Sequence, residues 1–355
     1  MAFSKGSIIT VSGEIDPDLA GVTLPHEHLL IDGSCWWKEP AREDVARQRI
    51  ANLPITMDLL GEIRRAPTQS VRSNLILDDA NLAEREILEF KKHGGSSVVD
   101  ATSIGLNRNP SLLRQIAERT GLNIIAGCGF YVQASHPSYL SSKTVEELST
   151  VMIHEASEGI DGTGIRPGIL GEIGLSQGIF PSEEKVLRAA CMAQRRTGLA
   201  LMIHSWISRE DTLKILEIVE QEGCDPSRAI MAHRDASIDG SLDLEIQQEI
   251  AKRKMYVEYD LFGSEEFRAA QGLMVQLPHD LERVKAIRKL ADLGFLDNIL
   301  ISQDACRKHH LKEYGGWGYA HILGNILPVF RASGFAEEEL KTILIDNPKR
   351  MLTVG

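Results

Sequence analysis

Six residues of this chain have the types and spacing to do metal chemistry. Leu24-Pro25-His26-Glu27-His28-Leu29 carries two imidazoles two positions apart. On a β-strand such residues share a face, so His26 and His28 project together while Glu27 points away. Two neutral imidazoles can hold one divalent cation at about 2.0–2.1 Å each; a pair of structural histidines is the alternative. His204 closes the run Leu201-Met202-Ile203-His204, His233 closes Ile230-Met231-Ala232-His233, and Asp304 closes Leu300-Ile301-Ser302-Gln303-Asp304. Each follows an apolar run and precedes a loop. Glu172 lies in Gly168-Ile169-Leu170-Gly171-Glu172-Ile173-Gly174. A carboxylate among apolar residues is costly to bury unless a cation meets it, either a metal or a buried Arg or Lys. Together these residues offer four imidazoles and two carboxylates, enough for two cations with a shared bridge.

The elements that must bring them together are legible as a pattern. Short runs rich in Val, Ile and Leu fall at 21–32, 96–103, 123–132, 165–175, 199–206, 229–237, 255–263 and 298–307. Near-continuous apolar runs suit parallel strands buried on both faces. Amphipathic helical stretches are expected at 79–93, 109–120, 182–197, 210–222, 242–254, 281–293 and 337–345, with Ser182 read as the N-cap of the third. Strand-then-helix alternation over eight units favours an α/β fold, a closed (β/α)8 TIM barrel, over an open doubly wound sheet. No GxGxxG follows the first strand, which weakens a dinucleotide-binding reading. Residues 1–355 are read as one domain. The segment 35–74 is too long for a crossover and is expected to form extra helix beside the barrel. In a barrel the C-terminal ends of the strands meet on one face, where distant residues converge.

Composition sets the surroundings. The chain has 355 residues with a net charge of −11, from 39 basic and 50 acidic side chains. An acidic surface repels nucleic acid and anionic lipid, so neither is an expected partner. The 5 cysteines form no CxxC pair, which points to a reducing compartment rather than a disulfide framework. Residues 1–13 lack the apolar core of a signal peptide, and no run is long enough to span a membrane. The expected location is the cytoplasm.

At its candidate site residues the chain resembles the phosphotriesterase family of the amidohydrolase superfamily, almost end to end. His26-Glu27-His28 is similar to the first-strand HxH motif, His204 and His233 to the histidines of strands five and six, and Asp304 to the last-strand aspartate. Gly129-Phe130-Tyr131-Val132, Gly171-Glu172-Ile173-Gly174, Glu258-Tyr259-Asp260-Leu261-Phe262-Gly263 and Gly318-Tyr319-Ala320-His321-Ile322-Leu323 resemble the phosphotriesterase-related branch. The resemblance implies a distorted barrel with two divalent ions, often zinc, bridged by hydroxide. His26, His28 and Asp304 would hold the more buried ion, His204 and His233 the more exposed one, and Glu172 would bridge where many relatives use a carboxylated lysine. Zn2+ suits this donor set, and Mn2+, Co2+ or Fe2+ would also fit. A homodimer is common in the family.

The implied activity is hydrolysis of a small-molecule substrate. Lactone esters are the leading expectation, with the amide of N-acyl amino acids next and phosphotriesters third. Asp304 would act on the proton of the nucleophile. Tyr131 is either a hydrogen-bond donor to that chemistry, as in similar lactonases, or a rim aromatic. Trp36, Trp37, Trp206, Lys308, His309 and Tyr314 are candidate pocket residues, and Arg307 with Lys308 is either an anion contact or a solvated turn. The family's relay histidine on strand seven has no counterpart in Val257-Glu258-Tyr259-Asp260-Leu261, so Asp235 is left without its usual partner. His93, His154 and His279 are read as helix residues, His136 and His310 as loop residues, and His321 as structural. Cys128 has no activating neighbour in sequence.

Overall fold

All eight apolar runs become strands of one parallel sheet. The computed structural model describes residues 6–237, 241–270 and 273–355. The strands are β1 (Val22–Glu27), β2 (Gly95–Asp100), β3 (Asn123–Cys128), β4 (Ile169–Gly174), β5 (Ala200–His204), β6 (Ala229–Met231), β7 (Tyr256–Tyr259) and β8 (Ile299–Ile301). Each pairs with its neighbours in chain order, in registers such as Val98 with Ile124, Leu170 with Leu201, and Glu258 with Leu300. The seam between β8 and β1 is closed at its upper end. There the Asp304 amide donates to the His26 carbonyl at 3.2 Å and the His26 amide donates to Ser302 Oγ at 3.1 Å. The result is the (β/α)8 barrel the alternation predicts.

The strands are apolar throughout because both faces are covered. Val99, Ile125, Ile169, Ala200, Met202, Ile230 and Leu300 fill the barrel, and Ile8, Ala20, Met351 and Leu352 plug its lower end. Val98, Ile124, Leu170, Leu201, Val257 and Ile299 pack outward, in a cluster with helix residues such as Ile87, Ile116, Leu187, Ile215 and Ile287.

The helices are α1 (Ala80–Lys92), α2 (Pro110–Thr120), α3 (Val145–Glu158), α4 (Pro181–Thr197), α5 (Arg209–Gln221), α6 (Leu244–Lys252) and α7 (Asp280–Leu290), followed by shorter C-terminal helices. Helix α3 is absent from the series expected from sequence, although Thr144 and Glu147 form a full capping box at its start. Ser182 is not the cap of α4. Pro181 sets the first helical turn, and Glu183 reaches back to accept from the Phe180 amide at 3.0 Å. His279 likewise lies just outside α7, in extended conformation, where Glu282 accepts from its amide at 2.8 Å. The stretch expected at 337–345 is α-helical only over Glu337–Lys341 and continues as a wider turn over Thr342–Asp346.

The long insertion after β1 holds two short helices, Val45–Ile50 and Leu60–Arg65. Its Trp36, Lys38, Ala66, Pro67, Thr68 and Gln69 line a cavity above the barrel, so the segment walls that cavity instead of only flanking the sheet. Residues 8–10 and 13–15 form a hairpin, and residues 1–5 of the expected polar N-terminus lie outside the described residues. Among the described residues no helix is long and apolar enough to cross a membrane.

Candidate metal centre

At the upper end of the barrel the six side chains singled out from sequence converge. His26 and His28 leave β1 on one face, as the two-residue period requires. His233 and Asp304 follow β6 and β8 directly and adopt positive φ values of 58° and 45°. Left-handed backbone is rare for non-glycine residues, and here it turns each side chain inward. Glu172 occupies the middle. Its Oε1 lies 2.7 Å from His204 Nδ1, 3.1 Å from His233 Nε2 and 3.4 Å from His26 Nε2, while Oε2 lies 3.8 Å from His28 Nε2. His28 Nε2 is 3.4 Å from Asp304 Oδ1. Three overlapping donor groups result among the described residues, His26, His28 and Asp304, then Glu172, His204 and His233, then His26, His233 and Asp260, with ligand atoms within 4.8 Å in each group.

The outer nitrogens of these imidazoles fix where the inner lone pairs point. The Thr102 hydroxyl donates to the Leu30 carbonyl at 3.1 Å, so at 2.9 Å it accepts from His28 Nδ1. His28 Nε2 is then a bare lone pair facing the cavity. Asp260 Oδ2 lies 2.9 Å from His26 Nδ1 and its Oδ1 lies 2.8 Å from His233 Nδ1. This carboxylate makes both Nδ1 atoms donors and leaves both Nε2 atoms facing inward. His26 Nε2 is buried without a hydrogen-bond partner, and His233 Nε2 stands 2.7 Å from His204 Nδ1. Converging unshared pairs beside two carboxylates are what a cation satisfies, and carboxylates oriented behind the ligating histidines are the usual support of a metal site. The residues present therefore fit divalent ions.

The electrostatics agree. Burial raises the Glu172 carboxyl, but His204 and His26 outweigh it and hold the group well below the usual carboxylate range. Burial also acts upward on Asp304, and its hydrogen bond to His28 with the charge of His26 brings it down to about 2. Both stay anionic. Desolvation lowers His204, favouring the neutral ligand form. Desolvation opposes charge on His233 too, yet Asp260 and Glu172 drive it up to about 10, a sign of excess negative charge at the centre.

Three supporting residues were not singled out by the sequence reading. Asp260 and Glu258 are adjacent inward positions at β7, and Glu258 Oε2 sits 3.2 Å from His26 Nδ1. The signal was two carboxylates at i and i+2 in an otherwise apolar strand. Glu27, which does point away from the cavity, accepts from Ser302 Oγ at 2.8 Å and from the amides of Gln303 and Ala305 at 2.9 Å each. It thus grips the turn that carries Asp304. Asp235 has found a different partner: Arg283 Nε of α7 donates to it at 2.8 Å, and it accepts from the Leu261 amide at 2.9 Å.

Above the centre opens a cavity of about 390 Å³. Trp36, Tyr131, Trp206, Lys38 and Arg307 are among its walls. Tyr131 accepts from Trp36 Nε1 at 3.2 Å, and its hydroxyl lies 3.3 Å from His204 Nδ1. Arg307 is buried and its Nη1 donates to Glu266, so the solvated-turn alternative does not hold for it. Trp37, Lys308, His309 and Tyr314 are not in this wall; Trp37 bonds Glu39 at 2.9 Å and His309 faces a neighbouring pocket. His136 donates from Nε2 to the Tyr131 carbonyl at 2.7 Å, and His321 contacts Asp280 at 2.7 Å, both structural roles. The Cys128 thiol is pushed up by burial and takes no part.

A barrel with facing imidazole and carboxylate groups at its upper strand ends defines the class of metal-dependent barrel hydrolases. The chain belongs to the phosphotriesterase family, whose model matches residues 6–352. It is 39% identical to the N-acetyltaurine hydrolase of Salmo salar over 353 residues, 99% of each chain. Among solved structures it is similar to a resiniferatoxin-binding protein from Rhodobacter sphaeroides, with a TM-score of 0.93 at 39% identity over 98% of this chain and 95% of that one. A lactonase from Listeria monocytogenes superposes with a TM-score of 0.79 at 25% identity over 98% of this chain and 99% of that one.

Proposed function

We propose that this protein is a two-metal amidohydrolase that cleaves the amide of small N-acylated amino acids or amino sulfonates. His26, His28 and Asp304 would hold one ion, His204 and His233 the other, and Glu172 would lie between them. Lactones led the sequence reading. The amide now stands first because relatives that match 99% of the chain are N-acetyltaurine hydrolases, whereas the similar lactonase is more distant. One observation carries the choice of substrate class. Arg307 and Lys38 line the cavity whose floor is the metal centre, so an acyl group at the floor can have an anionic tail against cationic wall residues.

Bound divalent ions would lower the pKa of water and polarise the acyl oxygen. The protein's own groups do the rest. Asp304, held anionic, accepts a proton from the attacking water and returns it to the departing nitrogen. The Tyr131 hydroxyl, 3.3 Å from His204 Nδ1, would donate toward the acyl oxygen as charge develops there. Trp36 and Trp206 line the cavity and would shield these groups from water once a substrate fills it.

The test is a substrate panel with metal-loaded protein: N-acetyltaurine, N-acetyl amino acids, γ- and δ-lactones, and an aryl phosphotriester. The expected result is a kcat/KM for an anionic N-acyl substrate at least about tenfold above any lactone or triester. A lactone ahead by that margin would restore the ester reading. Chelation should abolish turnover on every substrate, and Zn2+, Mn2+ or Co2+ should restore it.

A further inference from the structure

A second set of metal-type donors lies outside the barrel mouth. Glu266, His309 and His310 each present a ligand atom within 4.8 Å of the others. His309 Nε2 is 2.5 Å and His310 Nε2 is 3.4 Å from the same atom, Glu266 Oε2. All three side chains are at most 9% exposed. They border a pocket of about 200 Å³ that also touches Gln303, Ala305 and Trp317.

The hydrogen bonds around His309 leave one nitrogen to be explained. Asn74 Nδ2 donates to the Pro67 carbonyl at 3.2 Å, and Asn74 Oδ1 accepts from the His309 amide at 3.1 Å. Its orientation is therefore set from both sides. The same oxygen lies 2.9 Å from His309 Nδ1, which must then carry the proton. In neutral imidazole that leaves Nε2 with a lone pair pointed at a carboxylate oxygen. Only a second proton or a cation relieves that contact. The outer nitrogen on an amide oxygen and the inner nitrogen on the cluster is how a ligating histidine is oriented. Arg307 donates to the other oxygen, Oε1, while Oε2 faces both imidazoles.

We infer that Glu266, His309 and His310 form an additional mononuclear site for a divalent transition ion, with Zn2+ the best match to two imidazoles and a carboxylate. An ion at about 2.0–2.1 Å from its ligands sets them roughly 3.3 Å apart in tetrahedral geometry. The His310 contact already has that spacing, and the His309 contact would open to reach it. Asn74 belongs to the insertion after β1, Glu266 follows β7, and His309 and His310 follow β8. The ion would tie these three loops together beside Arg307, whose side chain also lines the active-site cavity.

The experiment counts ions. Wild-type protein, His309→Ala and His310→Ala are stripped, dialysed against excess Zn2+ and then against about 1 µM free Zn2+, and analysed for zinc per chain. The wild type should retain one ion more than either variant, whatever number the barrel centre holds. Co2+ loading should show the same difference of one, with loss of one tetrahedral visible absorption component. Equal ion counts in wild type and in a folded variant would overturn the site and leave a histidinium–carboxylate pair in its place. If His309→Ala does not fold, His310→Ala at the less buried position carries the comparison. Because the readout is a difference, a failed substrate panel leaves it unaffected.

Discussion

His26 and His233 are held by one carboxylate: Asp260 Oδ2 lies 2.9 Å from His26 Nδ1, and Asp260 Oδ1 lies 2.8 Å from His233 Nδ1. His26 also stands with His28 and Asp304, and His233 with Glu172 and His204, so a single residue at the end of β7 orients both. Replacing it with Asn keeps its size but lets only one side accept. Asp260→Asn should weaken metal binding by about 10–100-fold, read by competition with a chromophoric chelator. Unchanged affinity for both ions would show that Asp260 does not orient them.

Asp304 is the carboxylate placed for proton transfer. Asp304→Asn should lower kcat by at least about 10³-fold, with circular dichroism unchanged. Alanine at this position should abolish turnover. Activity near that of the wild type in either variant would remove Asp304 from the mechanism.

Arg283 is fully buried and joins Asp235 to Asp280, with 2.8 Å contacts to each. Removing one member of a buried ion network leaves an uncompensated charge. Arg283→Met should cost about 3–5 kcal/mol in urea unfolding. A loss below about 1 kcal/mol would mean that Asp235 is satisfied by its backbone donors alone.

How far the sequence alone reaches is visible from particular residues. The HxH pair was legible because a strand period of two needs no tertiary information. His204, His233, Asp304 and Glu172 were legible because polar residues at or within apolar runs are costly without a purpose. The left-handed turns that aim His233 and Asp304 were not legible, since His and Asp are enriched at positive φ but seldom adopt it. Arg283 was hidden because its partners lie on other elements, and only closure of the barrel brings α7 against the loop after β6. Asp260 was in view, yet reading β7 for a missing histidine obscured the carboxylates that were there. Helix α3 had its capping box in the sequence and was passed over.

Glu27 makes a pH dependence. Burial raises its carboxyl from the ordinary value of 4.5 to about 7, against the hydrogen bonds it accepts from Ala305, Ser302 and Gln303. Below pH 4.5 both folded and unfolded chains carry the proton and the contribution to stability is full. As pH rises toward 7 the unfolded chain ionises first, so stability is lost across that window, by about 3 kcal/mol in all. Glu27→Gln cannot titrate. The stability of the wild type relative to this variant, in metal-free protein, should therefore fall between pH 4.5 and 7 and then level off. A difference that stays flat, or rises, would contradict the assignment.

The grip of Glu27 on residues 302–305 and the bond between the Asp304 amide and the His26 carbonyl lie where the last strand meets the first. Most barrels are hooped by an unbroken ladder of backbone bonds; this one is buckled at a single point, by the neighbours of its own candidate ligands. An ion spanning His26, His28 and Asp304 would be the pin of that buckle. Withdrawing it would loosen the cylinder at one known place, and amide hydrogen exchange would first accelerate at His26 and Asp304 while β3 to β6 stayed protected.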